Sequence, residues 1–130
     1  MRLGLSTAAF YGRWETEEAA ARLSRMPIDC AEAFLQTPGE YGAEFGALVK
    51  QHLGPVPCTS VHPLGTQIES QLHGCSPRQR RDALDVLRRV LDAASSLGAG
   101  IYVYHGRNTP LLSPLPWNLP DNLDVIARMR

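Results

Sequence analysis

The sequence has little that would mark a secreted, membrane-spanning or polyanion-binding protein. Its 130 residues include three cysteines, Cys30, Cys58 and Cys75, and no Cys-x-x-Cys pair. This odd count argues against both a disulfide framework and a structural zinc cluster. No apolar run approaches the ~20 residues that a membrane span needs, so no membrane partner is expected.

Net charge is also absent, because 13 Lys and Arg residues balance 13 Asp and Glu residues. This balance argues against a nucleic-acid partner bound through non-specific electrostatic attraction. The first five residues carry one basic side chain and no long apolar stretch follows them, which does not fit a secretory signal. We therefore expect a cytoplasmic protein that forms one domain or a piece of one.

Strand and helix signals alternate along the chain. Short apolar runs predict four strands, at residues 3–7, 28–35, 56–61 and 100–104. Apolar residues at helical spacing predict four helices, at about residues 16–26, 41–53, 77–97 and 123–130. Thr16 is the expected N-cap of the first helix, and Gly54 with Pro55 ends the second.

The third helix has the clearest signals at its two ends. Ser76 is the expected N-cap, Pro77 takes the first helical position, and Gln79 completes a capping box. Gly98 is the expected C-terminal stop. The apolar stripe of this helix is predicted to contain Leu84, Leu87, Val90, Leu91, Ala94 and Leu97.

This alternation predicts an α/β fold with a parallel sheet and helical crossovers. Right-handed crossovers in sequential order place every helix on one face of the sheet and leave an apolar face bare. Either a reversal of strand order, as in a doubly wound sheet, or closure into an eight-unit barrel would cover that face. The four units found here would make half of such a barrel.

Polar side chains follow the strands at their C-terminal ends, where parallel α/β proteins carry their chemistry. They are Ser6, Thr7, Glu32, His62 and His105. Two histidines and a carboxylate on neighbouring strands suit a divalent metal such as zinc or manganese. The alternative interpretation of Glu32 is a strand-end carboxylate hydrogen-bonded to a backbone amide. His52 and His73 are interpreted as structural.

Four segments resemble a known family, in family order along the chain: residues 3–7, 29–35, 59–65 and 103–107. They resemble the N-terminal half of the xylose isomerase-like TIM barrel family. That family holds sugar phosphate isomerases and epimerases together with AP endonuclease family 2 enzymes. The resemblance implies that residues 1–130 are a single partial domain, with four βα units of a parallel (β/α)8 barrel.

The resemblance also implies a metal-assisted isomerase or epimerase acting on a small sugar or sugar phosphate. His62 and His105 match histidines that bind metal in the endonuclease branch, so they are the expected ligands of zinc, manganese or magnesium. Glu32 is the candidate for the carboxylate that moves a proton beside the carbonyl. The candidate substrate-binding residues are Arg107 for a phosphate or carboxylate, Phe10, Tyr11 and Trp117 for an apolar wall, and Gln67. Gln67 and Glu69 are expected on a loop after His62, where they would line the pocket or face water.

Two other readings stay open at this point. One is a metal-dependent AP endonuclease acting on DNA, and the other is a non-catalytic module, either doubly wound or a half-barrel that pairs with a partner. The family's later strands carry acidic ligands that this sequence lacks. We therefore expect low or no activity from the chain alone, and either a homodimer or a missing C-terminal half to complete the barrel.

Overall fold

The computed structural model describes residues 1–74 and 76–106, apart from the side chains of residues 66 and 67. Strands and helices alternate through this part of the chain, with short 3-10 turns at Thr7–Phe10 and Pro38–Glu40. The strands are β1 (Gly4–Ser6), β2 (Cys30–Leu35), β3 (Cys58–Pro63) and β4 (Ile101–Tyr102). The helices are α1 (Thr16–Leu23), α2 (Ala43–Leu53), α3 (Thr66–Leu72) and α4 (Pro77–Leu97).

The strands of the described residues form one parallel sheet in the order β1-β2-β3-β4. A doubly wound sheet would reverse its strand order, and this sheet does not, so that alternative is wrong. Sequential parallel order is the arrangement of consecutive strands in a (β/α)8 barrel. The structure therefore confirms the prediction of an α/β half-barrel architecture.

The hydrophobic core lies between the sheet and the helices. Ala31, Ala33 and Leu35 of β2 and Val61 of β3 are almost completely buried there. Cys58 of β3 and Tyr41 also belong to this cluster, and the helices contribute Ala20, Leu23, Val49, Leu53, Val90, Ala93, Ala94 and Leu97. The opposite face carries Ser6, Glu32, Ser60 and His62, so it is more polar than the apolar face that we expected.

Helices α2 and α4 approach each other closely at Gly46. A Cβ atom at Gly46 would lie 2.2 Å from the carbonyl oxygen of Ala93, so only glycine fits there. Ala93 of α4 is buried at this contact and Ala83 is buried beside Leu72 and Leu87, whereas Leu84 and Leu91 stay 39% and 42% exposed. The predicted stripe is wrong at these two leucines, because close helix contact selects small side chains over hydrophobic ones.

The predicted helix ends are confirmed for α4 and corrected for α1. Ser76 accepts a hydrogen bond from the Gln79 backbone N–H at 3.5 Å, and Gly98 adopts the left-handed conformation with φ 86°. The N-cap of α1 is Glu15, whose backbone N–H donates to the Glu18 carboxylate at 3.3 Å. Thr16 is instead the first helical residue.

Helix α3 is absent from the sequence-based prediction, which assigned its residues to a loop. Gln67 and Glu69 therefore lie on a helix, and Glu69 is buried rather than facing water. The predictions for Arg107, Trp117 and the final helix at 123–130 lie outside the described residues. Among the helices that are described, none combines the length and apolar character needed to cross a membrane.

Candidate functional site

Two histidines from neighbouring strands meet at the C-terminal end of the sheet. His62 lies in β3 and His105 follows β4, and their Nε2 atoms are 2.9 Å apart. The ring centroids are separated by 4.8 Å at an interplanar angle of 38°. The structure thus brings together the two residues that the sequence selected as metal ligands.

A register shift in the sheet sets the face on which His62 lies. Ala31 pairs with Cys58, but the next residue of β2, Glu32, pairs with Ser60, so Thr59 is left over as a bulge. Such a bulge places two residues of one strand opposite one residue of its partner. Ser60 and His62 consequently share the face of Glu32, while Val61 faces the helices.

The Glu32 carboxylate lies on the Nδ1 side of the His62 imidazole. Its hydrogen bonds link β2 to both neighbouring strands, β1 and β3. Ser6 Oγ of β1 donates to Oε1 at 2.8 Å, and Ser60 Oγ of β3 donates to Oε2 at 3.0 Å. His62 Nδ1 is 3.5 Å from Oε1. Each carboxylate oxygen therefore accepts a serine hydroxyl, and Oε1 also faces the Nδ1 side of the imidazole.

The Glu69 carboxylate of α3 occupies the equivalent position behind His105. Its side chain is 1% exposed, and its Oε2 atom accepts the His105 backbone N–H at 2.7 Å. The same oxygen is 3.4 Å from His105 Nδ1, and Tyr102 donates its hydroxyl to Oε1 at 3.0 Å. The sequence analysis missed this role of Glu69. The available signal was the i, i+4 pair Ile68 and Leu72, which marks a short amphipathic helix but does not show that Glu69 is buried.

Two tyrosines near Glu69 are held in their neutral form. Burial and, to a smaller extent, the nearby Glu69 charge raise the pKa of Tyr104 to about 12. Burial and the same carboxylate also raise the pKa of Tyr102 well above its ordinary value. Both hydroxyls therefore stay protonated near neutral pH. Tyr104 forms a hydrogen bond of 2.6 Å with His73 Nε2.

Aromatic residues flank the histidine pair on one side. Phe34 packs edge-on against His62 with a centroid distance of 5.0 Å, and Tyr11 packs edge-on against Phe34 at 5.6 Å. Phe34, which the sequence analysis did not select, links Tyr11 to the site. Phe10 contacts Trp14 at 4.9 Å and packs against the core.

The arrangement fits part of a metal coordination sphere. Two imidazole nitrogens bound ~2 Å from one zinc ion at tetrahedral angles lie ~3.3 Å apart. The His62 and His105 Nε2 atoms are 2.9 Å apart, so the two rings would have to move slightly apart to bind one ion. Carboxylates behind metal-binding histidines are the usual supporting arrangement. Within residues 1–74 and 76–106, however, no group of three or more His, Cys, Asp or Glu residues could hold a metal ion. The described residues therefore offer two ligands rather than a closed site.

No protein-family model and no curated protein sequence matches the chain significantly. Similar solved structures include the crystal structure of D-psicose 3-epimerase in the presence of D-fructose, with a TM-score of 0.69 and 12% identity. They also include D-allulose 3-epimerase from Methylomonas sp., with a TM-score of 0.66 and 17% identity. Each match covers 99% of this chain but only 47% and 45% of the epimerases. The chain thus has the fold of about half of a sugar epimerase, and neither of these two structures is an endonuclease.

Proposed function

We propose that this chain belongs to the xylose isomerase-like family and takes part in metal-assisted isomerisation or epimerisation of a sugar or sugar phosphate. The observation that carries the proposal is the convergence of His62 Nε2 and His105 Nε2, each imidazole having a carboxylate on its Nδ1 side. The fold shared with two sugar 3-epimerases supports it.

In this proposal His62 and His105 hold a divalent zinc, manganese or magnesium ion. When bound, the ion supplies Lewis-acid polarisation of a sugar carbonyl and its neighbouring hydroxyl. Glu32 is the carboxylate that moves a proton beside that carbonyl, and its 27% exposed side chain leaves room for substrate to approach. Ser6 and Ser60 hold the carboxylate in place through their hydroxyl groups.

The substrate contacts of the proposal lie around the histidine pair. Tyr11 is 55% exposed and connects to His62 through Phe34, so it is well placed to contact the apolar side of a sugar. Arg107 remains the proposed partner of a phosphate or carboxylate group. The other proposed substrate-binding residues are Phe10, Gln67 and Trp117.

A complete active site needs more than the described residues offer. Two imidazoles leave at least two positions open on a four-coordinate ion, so further ligands are required. We propose that four additional βα units supply them, either from the same polypeptide or from a second copy of the chain. The chain alone would then bind metal weakly and turn over sugar slowly or not at all.

Metal titration of single variants tests the histidine pair. We expect zinc binding, measured by isothermal titration calorimetry, to weaken at least ~10-fold in His62→Ala and in His105→Ala. His52→Ala is the matched control, because His52 lies on α2, and it should retain the affinity of the unmodified chain. Equal zinc affinity in all four proteins would refute the proposed site.

Deuterium exchange tests the chemistry and the need for further units. Proton transfer beside a carbonyl should incorporate solvent deuterium into D-fructose, detected by NMR, and Glu32→Gln should abolish any such incorporation. The chain alone should show slow exchange or none. Tight, stoichiometric metal binding together with rapid exchange by the chain alone would show that no further units are needed.

A further inference from the structure

A buried hydrogen-bond cluster lies where the start of α1 meets the turn Pro38–Glu40. Thr16 is completely buried, and its hydroxyl oxygen lies 2.8 Å from Glu40 Oε2 and 3.0 Å from the Phe34 carbonyl oxygen. The Gln36 side chain donates an amide N–H to the same hydroxyl oxygen at 3.4 Å. Glu40 Oε2 also accepts the Gln36 backbone N–H at 2.6 Å. Glu40 is only 6% exposed, so water has little access to these contacts.

The Thr16 hydroxyl has a single hydrogen for these partners. A hydroxyl group donates one hydrogen bond and accepts two. The Phe34 carbonyl oxygen can only accept, so it takes the hydrogen, and the Gln36 amide donates to one of the two remaining positions. Glu40 can occupy the last position only as a neutral acid that donates its own proton to Thr16. An ionised Glu40 instead competes with Phe34 for the one hydrogen.

We propose that Glu40 is a proton-dependent latch, which in its neutral form holds the turn Pro38–Glu40 against the start of α1 and on ionisation releases the turn. The ionised carboxylate draws the Thr16 hydrogen away from the Phe34 carbonyl and gives its own proton to the solvent. A buried carbonyl that loses its donor, beside a buried charge, destabilises the closed arrangement. Outward movement of the turn returns the carboxylate to water.

The charged groups around Glu40 act in the same direction. Burial, together with the charges of Glu17 and Glu15 at the start of α1, raises the pKa of the Glu40 carboxyl above 4.5 against the opposing effect of its hydrogen bonds. The adjacent Tyr41 phenol is neutral, because burial and the Glu40 charge raise its pKa. The positive Arg89 of α4 donates to the Tyr41 carbonyl oxygen at 3.2 Å, which holds the far end of the turn in both states.

The latch adjoins the aromatic side of the histidine pair. Phe34 supplies the contested carbonyl oxygen, and its ring packs edge-on against His62. The Phe34 backbone N–H donates to the Thr7 hydroxyl at 2.8 Å, so the hydroxyls of two buried threonines hold the backbone of this residue. Release of the turn would remove one of these two supports. The latch does not depend on the proposed function, because it needs neither an ion nor a substrate.

An NMR titration of the unmodified full chain tests the latch. The ¹³C chemical shift of the Glu40 carboxyl should report protonation with a midpoint above pH 4.5. The hydrogen-exchange protection factor of the Gln36 amide, corrected for the intrinsic effect of pH, should fall at least ~10-fold as pH rises through that midpoint. The reason is that the Gln36 N–H loses its acceptor when the turn moves outward.

Two variants separate the latch from a general effect of pH. Glu40→Gln carries a neutral amide that cannot ionise, so its Gln36 protection factor should stay constant through the same pH range. Glu44→Gln is the charge-matched control, because Glu44 is exposed in the first turn of α2, and it should retain the pH-dependent fall.

The outcomes are decisive even if Glu40→Gln fails to fold. A Glu40 midpoint at or below pH 4.5 in the unmodified chain would overturn the proposal. So would a Gln36 protection factor that is unchanged or higher above the midpoint, because the turn would then stay in place after ionisation. Zinc titration of the same chain is a separate measurement, so a failure of the metal site leaves the latch standing and the reverse is equally true.

Discussion

Substituting alanine for Gly46 is the sharpest test of how the helical layer packs. The new Cβ would lie 2.2 Å from Ala93 O and 2.9 Å from its Cα and carbonyl carbon, whereas ordinary contacts begin at 3.4 Å. Because Ala93 meets the new atom with backbone, no side-chain rotation can relieve the overlap. Helices α2 and α4 must instead separate locally by about 1 Å.

Two opposing terms set the size of the effect. Overpacking costs about 1–3 kcal/mol, and a gap of 0.5–1 Å forfeits roughly a quarter to a half of the dispersion attraction around Val49 and Val90. Alanine in a helix interior recovers only about 1 kcal/mol relative to glycine. We expect Gly46→Ala to lower the free energy of unfolding by about 2 kcal/mol, which corresponds to a fall in melting temperature of roughly 10 °C.

Urea and thermal unfolding followed by circular dichroism would measure this effect. Gly100→Ala is the matched control, because a Cβ at Gly100 meets nothing within 4 Å and no positive φ is found there. That variant should match the unmodified chain or gain up to ~1 kcal/mol from the stiffer unfolded chain. A Gly46→Ala variant as stable as the Gly100→Ala variant would refute the close approach of α2 and α4.

Two other predictions concern buried titratable groups. Burial raises the pKa of the Glu40 carboxyl above 4.5, so its contribution to stability is fully present below that value and is lost as pH rises through the folded-state pKa. Glu40→Gln keeps an oxygen that can accept the Gln36 backbone N–H and the Thr16 hydroxyl. The free energy of unfolding of this variant, measured by urea titration, should therefore depend less on pH than that of the unmodified chain, and a steeper dependence would contradict this. Burial raises the pKa of the Cys58 thiol to about 11, so iodoacetamide should alkylate half-buried Cys30 faster than Cys58, as peptide mass spectrometry can measure; equal rates would show that Cys58 is accessible.

Sequence reasoning succeeded where the signal is local. The strand and helix alternation predicted the parallel sheet, and Ser76 and Gly98 predicted both ends of α4 because caps depend on residues within one helical turn. The N-cap of α1 was misplaced by one residue, because local preference favours Thr16 as the cap while tertiary hydrogen bonds engage its hydroxyl and leave Glu15 in that position. The Thr16 hydroxyl is hydrogen-bonded to the carboxyl group of Glu40, which lies 24 residues away in the sequence.

The features that sequence reasoning missed depend on contacts between distant segments. Glu69 is buried by partners 33 and 36 residues away, Tyr102 and His105, so nothing in its own segment distinguishes it from an exposed helical glutamate. The α4 stripe was misassigned for the same reason, since the approach of Gly46 selects Ala93 over the more hydrophobic Leu91. The pairing of His62 with His105 was predictable, because strand ends of a parallel sheet meet at one edge.

The unpaired residue Thr59 determines which side chains of β3 face the helices. Side chains alternate along a strand, so one uncounted residue exchanges odd and even positions for everything that follows it. Pairing Thr59 regularly with Glu32 would turn Val61 away from the helices and His62 toward them, whereas deleting Thr59 would leave both on their present faces. The histidine pair thus depends on Thr59 remaining outside the regular pairing with β2, and a deletion of this one residue would preserve the pair.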